Sequence, residues 1–169
     1  KVHVVVNTRP GTSSARATLA TAAGPVALGA RDGWPAMAAV TDDGRLVAAL
    51  GDGHVAVAGT SVSAGSGMGA LLALDGRDLR SSDAFLVAPW EPGEVVLPGS
   101  GERVAIVGDF RAGEWVAFER LPAHGRAPRV AIDADRATCM ILVCRPADAA
   151  RWQQQLGIAL CHPERIQGY

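Results

Sequence analysis

Carboxylates and two tryptophans are the side chains with the most chemistry to offer. Asp75, Asp78, Asp83, Asp109, Glu114, Glu119, Asp133 and Asp135 could supply the pair that glycoside hydrolysis needs, one protonated and one ionised across a scissile bond. The six aspartates fall in turns between expected strands, Asp75 and Asp109 directly beside glycine, where aspartate is favoured for hydrogen bonds to its own backbone, so the turn reading is preferred. Trp34, in Asp32-Gly-Trp-Pro35, and Trp90, in Pro89-Trp-Glu-Pro92, fall in expected loops with no strand partner for a large ring. An indole can stack on the apolar face of a sugar while nearby Asp, Asn or Arg bond the hydroxyls, which makes these two the candidate ligand-binding residues. The competing reading is that each ring plugs an end of the core.

Other motifs are weaker. Gly65-Ser-Gly-Met-Gly69 has the glycine density of a phosphate-cradling loop but lacks the Gly-Lys-Ser/Thr ending, and no helix is expected after it. Ser61, Ser63 and Ser66 lie close by without the Gly-x-Ser-x-Gly elbow of a serine hydrolase. His3, His54, His124 and His162 are far apart and form no His-x-x-x-His pair, so neither a metal site nor a cofactor is expected. Cys139, Cys144 and Cys161 have no zinc spacing. The first two are five positions apart on an expected strand, facing opposite ways, and all three read as small buried hydrophobes.

Composition narrows the classes further. The 169 residues carry 16 Lys plus Arg against 17 Asp plus Glu, a formal charge of -1, which lacks the basic footprint of non-specific nucleic-acid binding. No apolar run approaches the roughly 18 residues of a membrane span, and no signal-peptide pattern is present. One soluble domain is expected. Its compartment stays open, export to the periplasm or medium included. Hydrophobic residues make up 49%, much of it alanine, and aromatics only 5%, so the core must be built from Val, Leu and Ala. The chain begins at Lys1 without a Met and runs directly into Val2 to Val6, which suggests a fragment or processed product.

Short apolar runs punctuated by turn residues point to antiparallel β structure. Strands are expected at Val2 to Asn7, Ala36 to Val40, Arg45 to Leu50 and His54 to Val62, with Thr41-Asp-Asp-Gly44 as a hairpin and Gly51-Asp52-Gly53 as a turn. Further strands are expected at Ala70 to Leu74, Ala84 to Ala88, Glu94 to Leu97, Arg103 to Val107, Glu114 to Arg120, Arg129 to Ile132 and Thr138 to Cys144. Within Glu114 to Arg120, Val116 and Phe118 share the expected core face. Pro146 to Leu156 has Pro in its first turn and Gly157 as a stop, which predicts a C-terminal helix that Trp152 docks onto a sheet. Ser14 to Ala23 is a lesser helix candidate, weakened by Thr18 and Thr21. The whole reads as an antiparallel β-sandwich of about ten strands over residues 1–145, with a helix and tail over 146–169 packed on it.

The run Ala70-Leu-Leu-Ala-Leu-Asp-Gly-Arg-Asp-Leu-Arg-Ser-Ser-Asp-Ala-Phe-Leu-Val87 is similar to a segment of C-terminal β-sandwich regions in some bacterial glycoside hydrolases. The opening Val4-Val-Val-Asn-Thr-Arg-Pro10 and the later Val107-Gly-Asp-Phe-Arg-Ala-Gly-Glu-Trp-Val116 resemble the first strand and a hairpin of such regions. In that family the catalytic acids belong to a separate barrel. The resemblance therefore implies an accessory, non-catalytic domain whose partner is the catalytic domain or chain of a glycoside hydrolase, with polysaccharide as a further ligand. It carries over no binding residue. Two other readings stand beside it: a small hydrolase or one chain of a cleaved glycosidase using carboxylate acid–base catalysis, and a structural or interaction domain without a ligand.

Overall fold

The computed structural model describes residues 1–7, 15–21, 24–30, 36–57, 60–89, 91–109, 114–121, 127–134 and 140–156. Twelve strands lie among them: β1 (Val2–Asn7), β2 (Ala15–Thr21), β3 (Gly24–Ala30), β4 (Ala36–Thr41), β5 (Leu46–Val57), β6 (Thr60–Ala73), β7 (Ala84–Pro89), β8 (Gly93–Val96), β9 (Arg103–Asp109), β10 (Glu114–Leu121), β11 (Arg129–Ile132) and β12 (Met140–Cys144). A 3₁₀ turn (Pro146–Asp148) leads into α1 (Ala149–Gln155), the one α-helix among the described residues. The mainly β architecture with a short C-terminal helix agrees with the sequence, and β2 and β3 are strands not expected from it.

The main sheet runs β1-β4-β5-β6-β7-β12-β9-β10, and β3, paired to β2, also joins it through β5; β8 and β11 form a separate ribbon. All pairs are antiparallel. Thr41-Asp-Asp-Gly44 is the hairpin its residues predict: Gly44 sits at φ 87°, where a side chain would clash, and its N–H donates to the Thr41 carbonyl at 2.9 Å.

Three local expectations are overturned. Gly51-Asp52-Gly53 is not a turn but lies within β5, whose pairing with β6 shifts register between Asp52 and His54. Glycine there serves a bulge, which needs backbone freedom as a turn does and so carries the same sequence signal. The expected strand His54 to Val62 is consequently split, since β5 ends at Val57 and β6 starts at Thr60. Gly65 to Gly69, which lacks the ending of a phosphate loop, belongs to β6, and a Cβ on Gly69 would stand 3.2 Å from the Ala88 carbonyl oxygen of the neighbouring strand. Over the described part of the lesser helix candidate, Ala15–Thr21 is β2 and pairs from Ala15 opposite Ala30 to Thr21 opposite Gly24. β-branched threonines cost a helix more than a strand. The shared face expected for Val116 and Phe118 falls on side chains outside the described residues.

Register explains the core. In antiparallel pairs directly opposed residues point to the same side. One row crosses the main sheet through Val5, Ala38, Ala49, Leu71, Val87, Ile141 and Val107. All seven belong to or pack on the main core, which also takes in Val95 and Leu97 from β8 and its following residue, and Val130 and Ile132 from β11. The two sheets thus bury one apolar interior between them. Its stabilisation comes from many Val, Leu, Ile and Ala contacts around Phe85, which is fully buried.

Candidate functional site

A polar cleft of about 450 Å³ opens where β6 ends, β7 begins and α1 crosses the sheet. The loop after β6 builds its floor. Gly76, at φ 68°, turns the chain, and Asp75 fastens it: Oδ1 accepts from the Arg77 N–H at 3.1 Å and the Ser82 hydroxyl at 2.8 Å, and Oδ2 from the Asp83 N–H at 3.0 Å. Burial pushes the Asp75 carboxyl up, but these hydrogen bonds outweigh it and hold the group below its ordinary value of 3.8. An ionised Asp75 that accepts three hydrogen bonds has no proton to give as a general acid.

Asp83 is the hub of an ion-pair chain. Its Oδ1 accepts from Arg103 Nη2 at 2.8 Å and its Oδ2 from Arg77 Nη1 at 3.2 Å, while Arg145 Nη1 stands 3.7 Å away. Arg145 Nε donates to Asp148 Oδ2 at 3.0 Å, and Arg151 Nη2 lies 3.2 Å from Asp148 Oδ1. Arg103 is the buried member, its side chain 6% exposed, and it also donates to the Glu102 carbonyl at 3.1 Å. The Arg151 guanidinium stacks 4.8 Å from the centre of the Trp152 ring. Trp152 packs in turn on Ala84, Val104, Ile106, Leu142 and Cys144, so it anchors the helix as its sequence position predicts. Burial, seconded by Asp148, pushes the Cys144 thiol up to about 12, and it is an inert core group.

Among the eight candidate carboxylates, Asp75 and Asp83 meet in this cleft. Asp78 serves packing instead: it accepts from the Leu46 N–H and the Arg80 N–H, each at 2.9 Å, and pairs with the Arg80 guanidinium. Glu119 and Asp133 lie away from the cleft, on β10 and after β11. The Asp109, Glu114 and Asp135 side chains are outside the described residues, and so are Trp34 and Trp90, the two candidate ligand-binding residues. Sequence reasoning missed Arg77, Arg145, Asp148 and Arg151, because the cleft joins segments some 70 positions apart that only strand order brings together.

The other side of the main sheet holds a second feature. The row Val4, Ala39, Ala48, Leu72, Leu86, Leu142 and Ile106 is as apolar as the core row beside it. At the β9 and β12 end α1 covers it, through Trp152 and Leu156. Towards β1 it emerges, with Leu72 39% exposed and Val2, Val4 and Val6 at 57%, 60% and 41%. Apolar residues on both faces of successive strands are the pattern of a sheet covered on both sides, and the runs Val2 to Val6, Ala70 to Ala73 and Ala84 to Ala88 show it in the sequence itself.

No protein-family model matches this chain, and no significant match exists among curated proteins or solved structures.

Proposed function

We propose that the chain is an accessory, non-catalytic β domain of a glycoside hydrolase, packed on the catalytic domain through the outer face of its main sheet. The observation that carries the docking role is the open end of the outer apolar row, Val2, Val4, Val6 and Leu72. Exposed apolar area concentrated on one face marks an interaction surface. The glycoside hydrolase assignment is supported by the resemblance of Ala70 to Val87, which form one unit: β6, a loop tied down by Asp75, Asp78 and Ser82, and β7. The hydrolase alternative gains nothing from Asp75, whose carboxyl is held below its ordinary value by three hydrogen bonds.

Two observations test the assignment. The coding sequence upstream of Lys1 is expected to continue into the alternating βα pattern of a barrel, and the isolated chain to hydrolyse no glycoside. Hydrolysis by the purified chain, abolished by a single Asp or Glu substitution, would show it to be an enzyme in its own right.

A further inference from the structure

We infer that the cleft beside α1 binds a carboxylated sugar, a uronic-acid unit of a glycan. The sugar class rests on the glycoside hydrolase reading, whereas the carboxylate rests on the cleft alone. Three guanidiniums, Arg77, Arg145 and Arg151, stand around the opening with 59%, 53% and 56% of their side-chain surface exposed, and the carboxylates of Asp75, Asp83 and Asp148 lie deeper at 16%, 27% and 23%. Charge in the lining balances at three against three, and Arg103, bonded to Asp83 from behind, tips the locality to a net positive charge.

A guanidinium has five N–H donors in a planar fork that matches a carboxylate edge to edge. The contacts to Asp83 and Asp148 use one nitrogen or two of each rim arginine, so each of these half-exposed guanidiniums keeps further N–H donors for a ligand. Arg151 also has its Cζ 4.8 Å from the centre of the Trp152 ring, a contact that restrains the side chain before a ligand arrives. A compact, fully charged anion such as inorganic sulfate would meet three carboxylates at close range. A sugar acid suits the arrangement better, because its one carboxylate takes the rim while its hydroxyls, each donor and acceptor, can bond the alternating Asp and Arg groups. The volume of about 450 Å³ lies within the roughly 300–1,000 Å³ range of small-molecule sites.

The test is calorimetric titration of the whole chain at low salt with a uronic-acid trisaccharide, its methyl ester and sodium sulfate. The trisaccharide is expected to bind, the uncharged ester at least tenfold more weakly, and sulfate not at all. Arg77→Gln with Arg145→Gln should weaken trisaccharide binding at least tenfold, while Arg129→Gln, an exposed arginine on β11 paired with Glu94, should leave it unchanged. Exposed ion pairs contribute little to stability, so these variants fold. Equal binding of acid and ester, undiminished binding by the double variant, preference for sulfate, or no binding by the wild type would each overturn the inference. The docking role is read on Val4 and Leu72, so the two proposals fail separately.

Discussion

Asp78 joins a loop to a strand through one carboxylate. It takes the Leu46 N–H at 2.9 Å, and the Leu79 N–H returns to the Leu46 carbonyl at 2.7 Å, so the loop after β6 is sewn to the start of β5. Asp78→Ala leaves a buried N–H without its acceptor, and urea denaturation should register a loss of about 2 kcal/mol. The same contacts give stability a direction with pH. Burial acts to raise the Asp78 carboxyl, but hydrogen bonds from Arg80 and Leu46 prevail and hold it below 3.8, as those on Asp75 do there. A carboxyl depressed in the folded state contributes stability that is complete above its unfolded value and is lost as pH falls through the folded one. The urea midpoint should therefore drop as pH falls below about 4, and drop less steeply in Asp78→Asn. Cys144 makes the opposite case, since with its thiol held near 12 it should resist alkylation in the native protein and react on unfolding, as mapped by mass spectrometry. Of these roles the sequence shows the turn aspartates plainly, because Asp beside Gly is a local signal. The ion-pair chain through Arg103, Asp83 and Arg145 is a product of strand order and leaves no local trace.

The helix and the strands differ in how much of them local signals reveal. Pro146 fixes the start of the helical segment and Trp152 its buried side, and both are legible from residue type alone. Trp152→Ala should cost about 2 kcal/mol, less than a fully buried ring, and should raise the alkylation rate of Cys144 beneath it; a thermal melt and the same mapping measure both. Most strands follow from their apolar runs, but β5 and β6 defeat the rule that glycine punctuates. Gly51 and Gly69 oppose each other inside paired strands, and at Gly69 the reason is the close approach of the Ala88 carbonyl. A glycine kept for proximity cannot be told from one kept for a turn until the neighbouring strand is placed.

Among the described residues both rows across the main sheet are apolar, the inner one buried or half-buried along its length and the outer one exposed at Val4 and Leu72. The inner row shares one core with β8 and β11, whereas the outer row runs from beneath α1 to the exposed valines of β1. The antiparallel β class was legible because it depends on short runs and turns; the unfinished outer face was not, because both faces read as plain hydrophobicity until register separates them. Val4→Glu with Leu72→Glu alters two exposed positions, so the domain's own melting temperature should change little, while on the proposed docking role its affinity for the proposed catalytic domain should fall at least tenfold. The most direct measurement is radical footprinting of Val2, Val4, Val6 and Leu72 in the isolated chain and in its complex with the proposed catalytic domain. Strong labelling of all four in the isolated chain and loss of most of that label in the complex are expected; equal labelling in the two states would contradict the proposed docking role.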